Sequence, residues 1–342
     1  MPPPLSVSTT YETPLAHGEH MQLDYIDLHC DTAYELFHQN QQIEQNTLAV
    51  SLQDAQGYEH YAQFFAVWSD STLTDEQAYA DFLAISDYFT AQLSRSPACD
   101  RIMPVTTAAQ LREAWSKNQN AAFLAVEDAR LLAGHLERME ELARRGVKYL
   151  TLLWGGSSCI GGSHDTEEGL TDFGRAVLES CFDLGIVPDI SHASEKSATQ
   201  VLDIALRRGR PVIASHSNYF SVHPHSRNLR EHHLQMICEL GGLVGLNLCR
   251  EHLGERANME SILAHLDYAF RHGAERHVAI GGDLDGASLP NGFCTVGDVS
   301  KIADAMMAHG FGETAVRQLF AGNALNFIEN NFGNGFNHTE QQ

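Results

Sequence analysis

From Met21 onward, apolar residues come in short continuous runs separated by longer stretches with helical spacing. Eight runs have strand length: LDYIDLHC, YAQFFAVW, AAFLAVED, VKYLTLLW, IVPDISH, PVIASHS, GGLVGLNL and HVAIGGDLDG. Their apolar positions are consecutive rather than alternating, as in parallel strands buried on both faces. Between them lie helical patterns such as DEQAYADFLAISDYFTAQLS, TAAQLREAW, DFGRAVLESCFDLG, EKSATQVLDIALRRG and SILAHLDYAFRHG. Several close on glycine after a basic residue, a common helix stop. Eight strands with helical crossovers predict an α/β chain folded as a (β/α)8 TIM barrel, a single domain over residues 21–335. An open doubly wound sheet is the second choice, but no G-x-G-x-x-G or P-loop stretch supports it. Residues 1–20 and 336–342 read as flexible tails, with Met21 an alternative start. GETAVRQLFAGNALNFIENNF reads as one amphipathic helix that closes the barrel.

Composition changes this picture at a few points. The chain has 342 residues, 43% hydrophobic and 19% charged, enough apolar material for a large core. Low-complexity blocks are absent, so wholesale disorder is not expected. A formal net charge of -22 argues against nucleic acid or an anionic membrane as partner, and suits a site that holds cations. The seven cysteines are scattered with no C-x-x-C pair, so neither a zinc ribbon nor a disulfide framework is expected. That usage suits a reducing, cytoplasmic location. No apolar run approaches the ~20 residues of a membrane span. The first twenty residues lack the basic start and apolar core of a secretory signal.

Side chains suited to chemistry gather at the C-terminal ends of the expected strands, the face where barrel active sites sit. The first run ends in His29 and Asp31, two residues apart and therefore on one face of a strand. The third ends in Glu127, the fifth in His192 and the sixth in His216, while the eighth carries Asp283 and Asp285. A histidine at a strand end can be an ordinary hydrogen-bonded residue. A buried glutamate is costlier without a cation or a hydrogen-bond partner. The shared position at one end of five strands is what favours metal. His29, Asp31, Glu127, His192 and His216 exceed the three or four protein ligands of one zinc. With one bridging carboxylate they suit two ions. Asp128 points to the other face and is expected to cap a helix. His223 and His225 are expected at the mouth or in solvent, His232 and His233 at the surface, and the HGEH of the tail in solvent.

Taken in order, these residues resemble the membrane dipeptidase family, peptidase family M19. HCD resembles the family's opening H-x-D, AVED its bridging glutamate, DISH its D-x-S-H, SHS its S-H-S, SRNLRE its Arg-Asn pair and GGDLDG its G-G-D-F-D-G. GLTDFGRAVL is similar to the stretch leading into the fifth strand. The resemblance runs from Asp27 over almost the whole chain. It implies a zinc-dependent dipeptidase with two zinc ions per chain and a bridging hydroxide. One ion would be held by His29, Asp31 and Glu127, the other by Glu127, His192 and His216. Asp283 would be the catalytic proton carrier and a substrate contact. Arg227, otherwise a candidate for a surface salt bridge, would clamp a free C-terminal carboxylate. The implied partner is a small dipeptide, with a C-terminal D-residue tolerated and a homodimer left open.

One position departs from the family pattern. Where the family commonly has a histidine after the fourth strand that helps bind substrate, TLLWGGSS has Trp154. An indole offers a single N–H donor. His164, in GGSHD, is the imidazole nearest in sequence. Two other readings therefore stay open. One is a related amide or lactone hydrolase on the same metal pair, which Trp154 favours. The other is a catalytically inactive metal-binding barrel, which Asp283 disfavours because a binder needs no proton carrier.

Overall fold

The computed structural model describes residues 21–333 apart from Ser96. The two expected tails and the HGEH stretch lie outside the described residues. The parallel strands are β1 (Asp24–Cys30), β2 (His60–Trp68), β3 (Ile102–Pro104), β4 (Asn120–Glu127), β5 (Val147–Thr151), β6 (Val187–Asp189), β7 (Val244–Leu246) and β8 (Val278–Ile280). Hydrogen-bonded neighbours run β6-β5-β4-β2-β1-β8-β7. Two bridges, Asp189–Ile213 and Ala214–Val244, close the ring between β6 and β7. Helices connect successive ring members, so the (β/α)8 barrel expected from the sequence is present.

Two strands depart from expectation. PVIASHS forms no ladder beyond those two bridges. Backbone bonds of Ile213 with Pro188 and Ile190, and of Ala214 with Leu243 and Gly245, hold its place, and Ser215 adds its backbone N–H (2.8 Å) and its hydroxyl (2.6 Å) to the Asp189 carboxylate. The pattern of apolar runs does not predict β3. It has three residues, too few to carry a period, and pairs only with Asn120–Ala122 at the start of β4.

Both faces of the ring are buried, which explains the continuous runs. Ile26, Leu28, Ala62, Phe64, Ala66, Phe123 and Tyr149 pack in the interior and its floor. Tyr25, Cys30, Tyr61, Phe65 and Val126 belong to the larger cluster shared with the helices. Strict alternation from Ile26 and Leu28 would send His29 outward with Tyr25. A bulge prevents this. Asp27 pairs with Gln63, but Cys30 pairs with Phe65, so three steps on β1 face two on β2. The extra residue turns His29 inward after Leu28, and Asp31 follows on the same side.

The C-terminal stretch is not one helix. A π turn, Gln318–Gly322, separates Glu313–Arg317 from Asn323–Asn331. The wider turn offsets the apolar face, so that Phe320 reaches Tyr25 while Phe327 and Ile328 join the floor. All seven cysteines are free. Among the described residues, no helix is long and apolar enough to cross a membrane.

Candidate metal centre

His29, Asp31, Glu127, His192, His216 and Asp283 meet at the C-terminal end of the ring. Two groups share Glu127: Glu127, His192 and His216, and His29, Asp31 and Glu127. A third joins His29, His216 and Asp283. The two oxygens of Glu127 divide between the first two groups. Oε1 lies 2.9 Å from His192 Nε2 and 3.3 Å from His216 Nε2, while Oε2 lies 3.6 Å from His29 Nε2. His29 Nε2 is also 3.4 Å from Asp31 Oδ2. All six side chains are buried or nearly so.

Whether cations fit here follows from the far side of each imidazole. Tyr149 Oη donates to Leu28 O at 2.9 Å, so it accepts from His29 Nδ1–H at 2.8 Å. Ser215 Oγ donates to Asp189, so it accepts from His216 Nδ1–H at 2.8 Å. His192 Nδ1–H donates to the Trp154 carbonyl at 3.0 Å. With Nδ1 carrying the proton in each ring, the three Nε2 atoms face Glu127, and the neutral His192 and His216 turn lone pairs toward it. The Nε2 atoms of His192 and His216 lie 2.9 Å apart, two lone pairs facing each other. His29 Nε2 and Asp31 Oδ1 are buried without a hydrogen-bond partner among the described residues. Such an array is repulsive on its own and is relieved by positive charge, the arrangement in which outer partners fix metal-binding tautomers.

The electrostatics divide the three rings: against burial, Tyr149, Glu127 and Asp31 raise His29 well above its usual value, so that a proton on this ring answers the carboxylates where a cation would. Burial and the neighbouring Glu127 carboxylate push Asp31 up to about 8. Burial opposes ionisation of Glu127, yet His29, His192 and His216 hold it well below its usual value. Burial, with the Arg227 charge, lowers His192 to about 3, and burial with His29 lowers His216 well below its usual value. Those two rings stay neutral and keep their lone pairs.

Asp283 stands in a tight turn beyond β8, with φ +58°, and His192 has φ +68°. Left-handed backbone at non-glycine residues is strain that the surroundings must hold, and it concentrates at functional sites. Gly286 makes room for this turn: a Cβ there would come 2.0 Å from Asp31 Oδ2. Burial and Glu127 raise the Asp283 carboxyl. Its Oδ1 is 3.9 Å from His29 Nε2, and its Oδ2 accepts from Asn247 Nδ2 at 3.2 Å. Asn247 follows β7, is fully buried, and also donates to His216 O at 3.1 Å. The motif reading misses Asn247, although a polar residue after the buried run GGLVGL is a signal. Asp285 turns away and accepts from Thr32 Oγ1 and Ala49 N.

A cavity of about 570 Å³ opens over this centre, lined by Glu127, Asp283, Trp154, His164 and Arg227 among others. Arg227 is buried rather than a surface residue, and its Nε and Nη1 have no hydrogen-bond partner among the described residues. Trp154 packs on Trp68 and His192. His164 comes in from its loop: its Nδ1 meets Ser226 Oγ at 3.0 Å, and burial with the Arg227 charge lowers it to about 4. His225 lines the mouth and His223 is half-buried beside it. Neither joins a metal-type group among the described residues. Asp128 caps a short helix turn through Arg130 N, as expected. His232 is exposed, but His233, expected at the surface, is buried and bonds Thr199 Oγ1 at 2.9 Å. The correction has a plain cause: His233 sits on the inner face of the helix Glu231–Glu239, beside buried Leu234 and Ile237.

The chain resembles solved structures over most of its length. Dipeptidase AC, a metallo-peptidase of family M19, is 28% identical with a TM-score of 0.84, covering 92% of this chain and 100% of that one. A metallo-peptidase from Rhodobacter sphaeroides, liganded with a phosphinate mimic of the dipeptide L-Ala-D-Ala, is 27% identical with a TM-score of 0.83 over 91% of this chain and 100% of that one. A curated relative from Klebsiella pneumoniae, described as an uncharacterized protein in the pqqA 5' region, is 32% identical over 175 residues. That match spans 49% of this chain and 64% of the relative. The family described as membrane dipeptidase (peptidase family M19) matches residues 17–335, nearly the whole chain. The chain therefore belongs to the membrane dipeptidase family, peptidase family M19, a family of metallo-dipeptidases.

Proposed function

We propose that the protein is a dipeptidase with two zinc ions, acting on dipeptides that have a free C-terminal carboxylate. One observation carries this reading: three imidazoles, each tied off at Nδ1, turn Nε2 toward the two oxygens of one buried glutamate. His29, Asp31 and Glu127 would hold one ion, and Glu127, His192 and His216 the other. When bound, the ions supply Lewis-acid polarisation of a carbonyl and a water of lowered pKa.

The chain's own residues do the rest. Asp283 accepts the proton of the attacking water and returns it to the leaving amine, a role suited to a carboxyl that burial has raised. Asn247 fixes one of its oxygens. Arg227 takes the substrate carboxylate with Nε and Nη1, which have no partner among the described residues. Tolerance of a C-terminal D-residue is supported by the L-Ala-D-Ala mimic held by the Rhodobacter sphaeroides relative. The scattered, unpaired cysteines support a cytoplasmic enzyme.

Elemental analysis of the zinc-loaded protein, joined to a dipeptide screen of both chiralities, tests this reading. Close to two zinc ions and dipeptide hydrolysis are expected. A single tight metal refutes the paired centre. Trp154 favours a second reading, an amide or lactone hydrolase on the same pair. Turnover of N-acyl amino acids or lactones without dipeptide turnover would decide for it, and a loaded protein inert to all of them would mark a binding barrel.

A further inference from the structure

The mouth has an aromatic side that the metal chemistry does not use. Tyr34 and Trp68 meet with ring centroids 5.2 Å apart, and Trp68 and Trp154 at 5.1 Å. All three are partly exposed and line the same cavity as Glu127, Asp283 and Arg227. Tyr34 Oη donates to Asp70 at 3.2 Å, which fixes its ring. The backbone of Trp154 is tied to the centre, because its carbonyl accepts from His192. Trp68 is the register partner of Glu127, and its enclosed indole N–H has no partner among the described residues.

Ring order sets the direction across the mouth. Trp68 ends the second ring member, Glu127 the third, and Trp154 follows the fourth. Arg227 comes from the segment after the sixth, which lies across the barrel from the second. A dipeptide whose carboxylate meets Arg227 and whose scissile carbonyl lies over Glu127 sends its N-terminal residue toward the aromatic side.

We propose that Tyr34, Trp68 and Trp154 receive the N-terminal side chain and select dipeptides whose first residue is aromatic or large and apolar. The inference rests on the dipeptidase reading above. Rigid rings offer a wide apolar surface at small entropic cost, and aromatic pairs gain further from edge and offset contacts. Glu35, on the same helix as Tyr34, lines the cavity and offers negative charge to a free α-amino group.

Phe-Gly and Ala-Gly, compared on the zinc-loaded enzyme, test the proposal. Phe-Gly should lead in kcat/KM by roughly tenfold or more, the range that apolar pockets deliver. Trp68→Ala and Trp154→Ala should pull that ratio toward one, and the conservative Trp68→Phe should keep most of it. A parent ratio near one, or a ratio that neither alanine variant moves, overturns the proposal. Binding, followed by tryptophan fluorescence in the zinc-loaded Asp283→Asn variant, separates this inference from the reading beneath it. Equal affinity for Phe-Gly and Ala-Gly overturns the aromatic pocket. Tighter binding of Phe-Gly by a protein whose parent hydrolyses neither overturns the dipeptidase reading and leaves the pocket standing.

Discussion

Tyr149→Phe removes one oxygen from the barrel interior and should loosen one metal of the proposed pair without touching the other. The phenol accepts from His29 Nδ1–H and donates to Leu28 O, and both groups are buried. Phenylalanine keeps the ring against Phe64 but leaves that donor and that acceptor bare. Each unsatisfied buried group costs about 1–3 kcal/mol. Loss of the partner also frees His29 to place its proton on Nε2, the atom facing Glu127. Outer partners of metal-binding histidines are typically worth about 10–100-fold in affinity, or roughly 1.4–2.8 kcal/mol. His192 and His216 hold their tautomers through Trp154 and Ser215, so their ion should keep its affinity. Competition with a chelator, followed by elemental analysis, should show one zinc released 10–100-fold more readily and the second unchanged. Ser215→Ala is the mirror experiment and should loosen the ion at His216 instead. If both variants release both ions in parallel with the parent, the tautomer argument is wrong.

Three further outcomes follow from the geometry. Asp283→Asn should keep the fold and both metals but lose about 10²–10⁴-fold in kcat; near-parent kcat at full metal content would remove Asp283 from proton transfer. Amidating the substrate's carboxylate should cost ~2–5 kcal/mol, since Arg227 is then left buried and unpaired; Arg227→Ala should lose as much on the free acid and little on the amide, and equal parent rates on both would refute the clamp. Burial lowers His233 to about 3 and His265 to about 4. The unfolded chain binds those protons below about 6.5. Stability is thus intact above that pH and falls as pH drops toward 4, by about 1.4 kcal/mol per unit for each residue. Urea unfolding of His233→Gln at pH 7.5 and 5 should show a loss smaller than the parent's by ~2 kcal/mol, and an unchanged loss would show that His233 is not held neutral.

The ligand-type residues were legible because strand ends are: a buried apolar run that stops on His, Glu or Asp has few other uses for that residue. The residues that orient those side chains were not. Tyr149 reads as one more aromatic in VKYLTLLW, and only the closed ring brings it to His29 on β1. Ser215 and Asn247 look like ordinary polar punctuation until the seam and the Asp283 turn are assembled. His29 itself was placed by a rule that fails locally. The two-residue repeat pairs it with Asp31, but relative to Leu28 it would face outward without the bulge at Asp27–Cys30. Helices Asp172–Leu184 and Glu195–Arg208 stop at Gly185 and Gly209, as the glycine stops predict, and start at Thr171 and Ser194, which cap them through local side-chain bonds. His233 was misplaced because helix faces are settled by neighbours in space, here Thr199.

The seam between β6 and β7 gives the barrel an unusual mechanical character. Backbone bonds join Ile213 to Pro188 and Ile190 on one side and Ala214 to Leu243 and Gly245 on the other, and a side chain adds a keystone to this joint, the Asp189 carboxylate. It receives Ser191 N, Ser215 N, Ser215 Oγ and Thr151 Oγ1, at 3.0, 2.8, 2.6 and 2.6 Å. Through Ser215 the same keystone orients His216. Closing the hoop and aiming the imidazole are therefore coupled through one hydroxyl. A cation held by His216, as proposed above, would stabilise the closed ring by the free energy with which it prefers the closed form. Occupancy of the proposed centre would then be felt as rigidity at this seam, in the part of the ring farthest from β1 and β2.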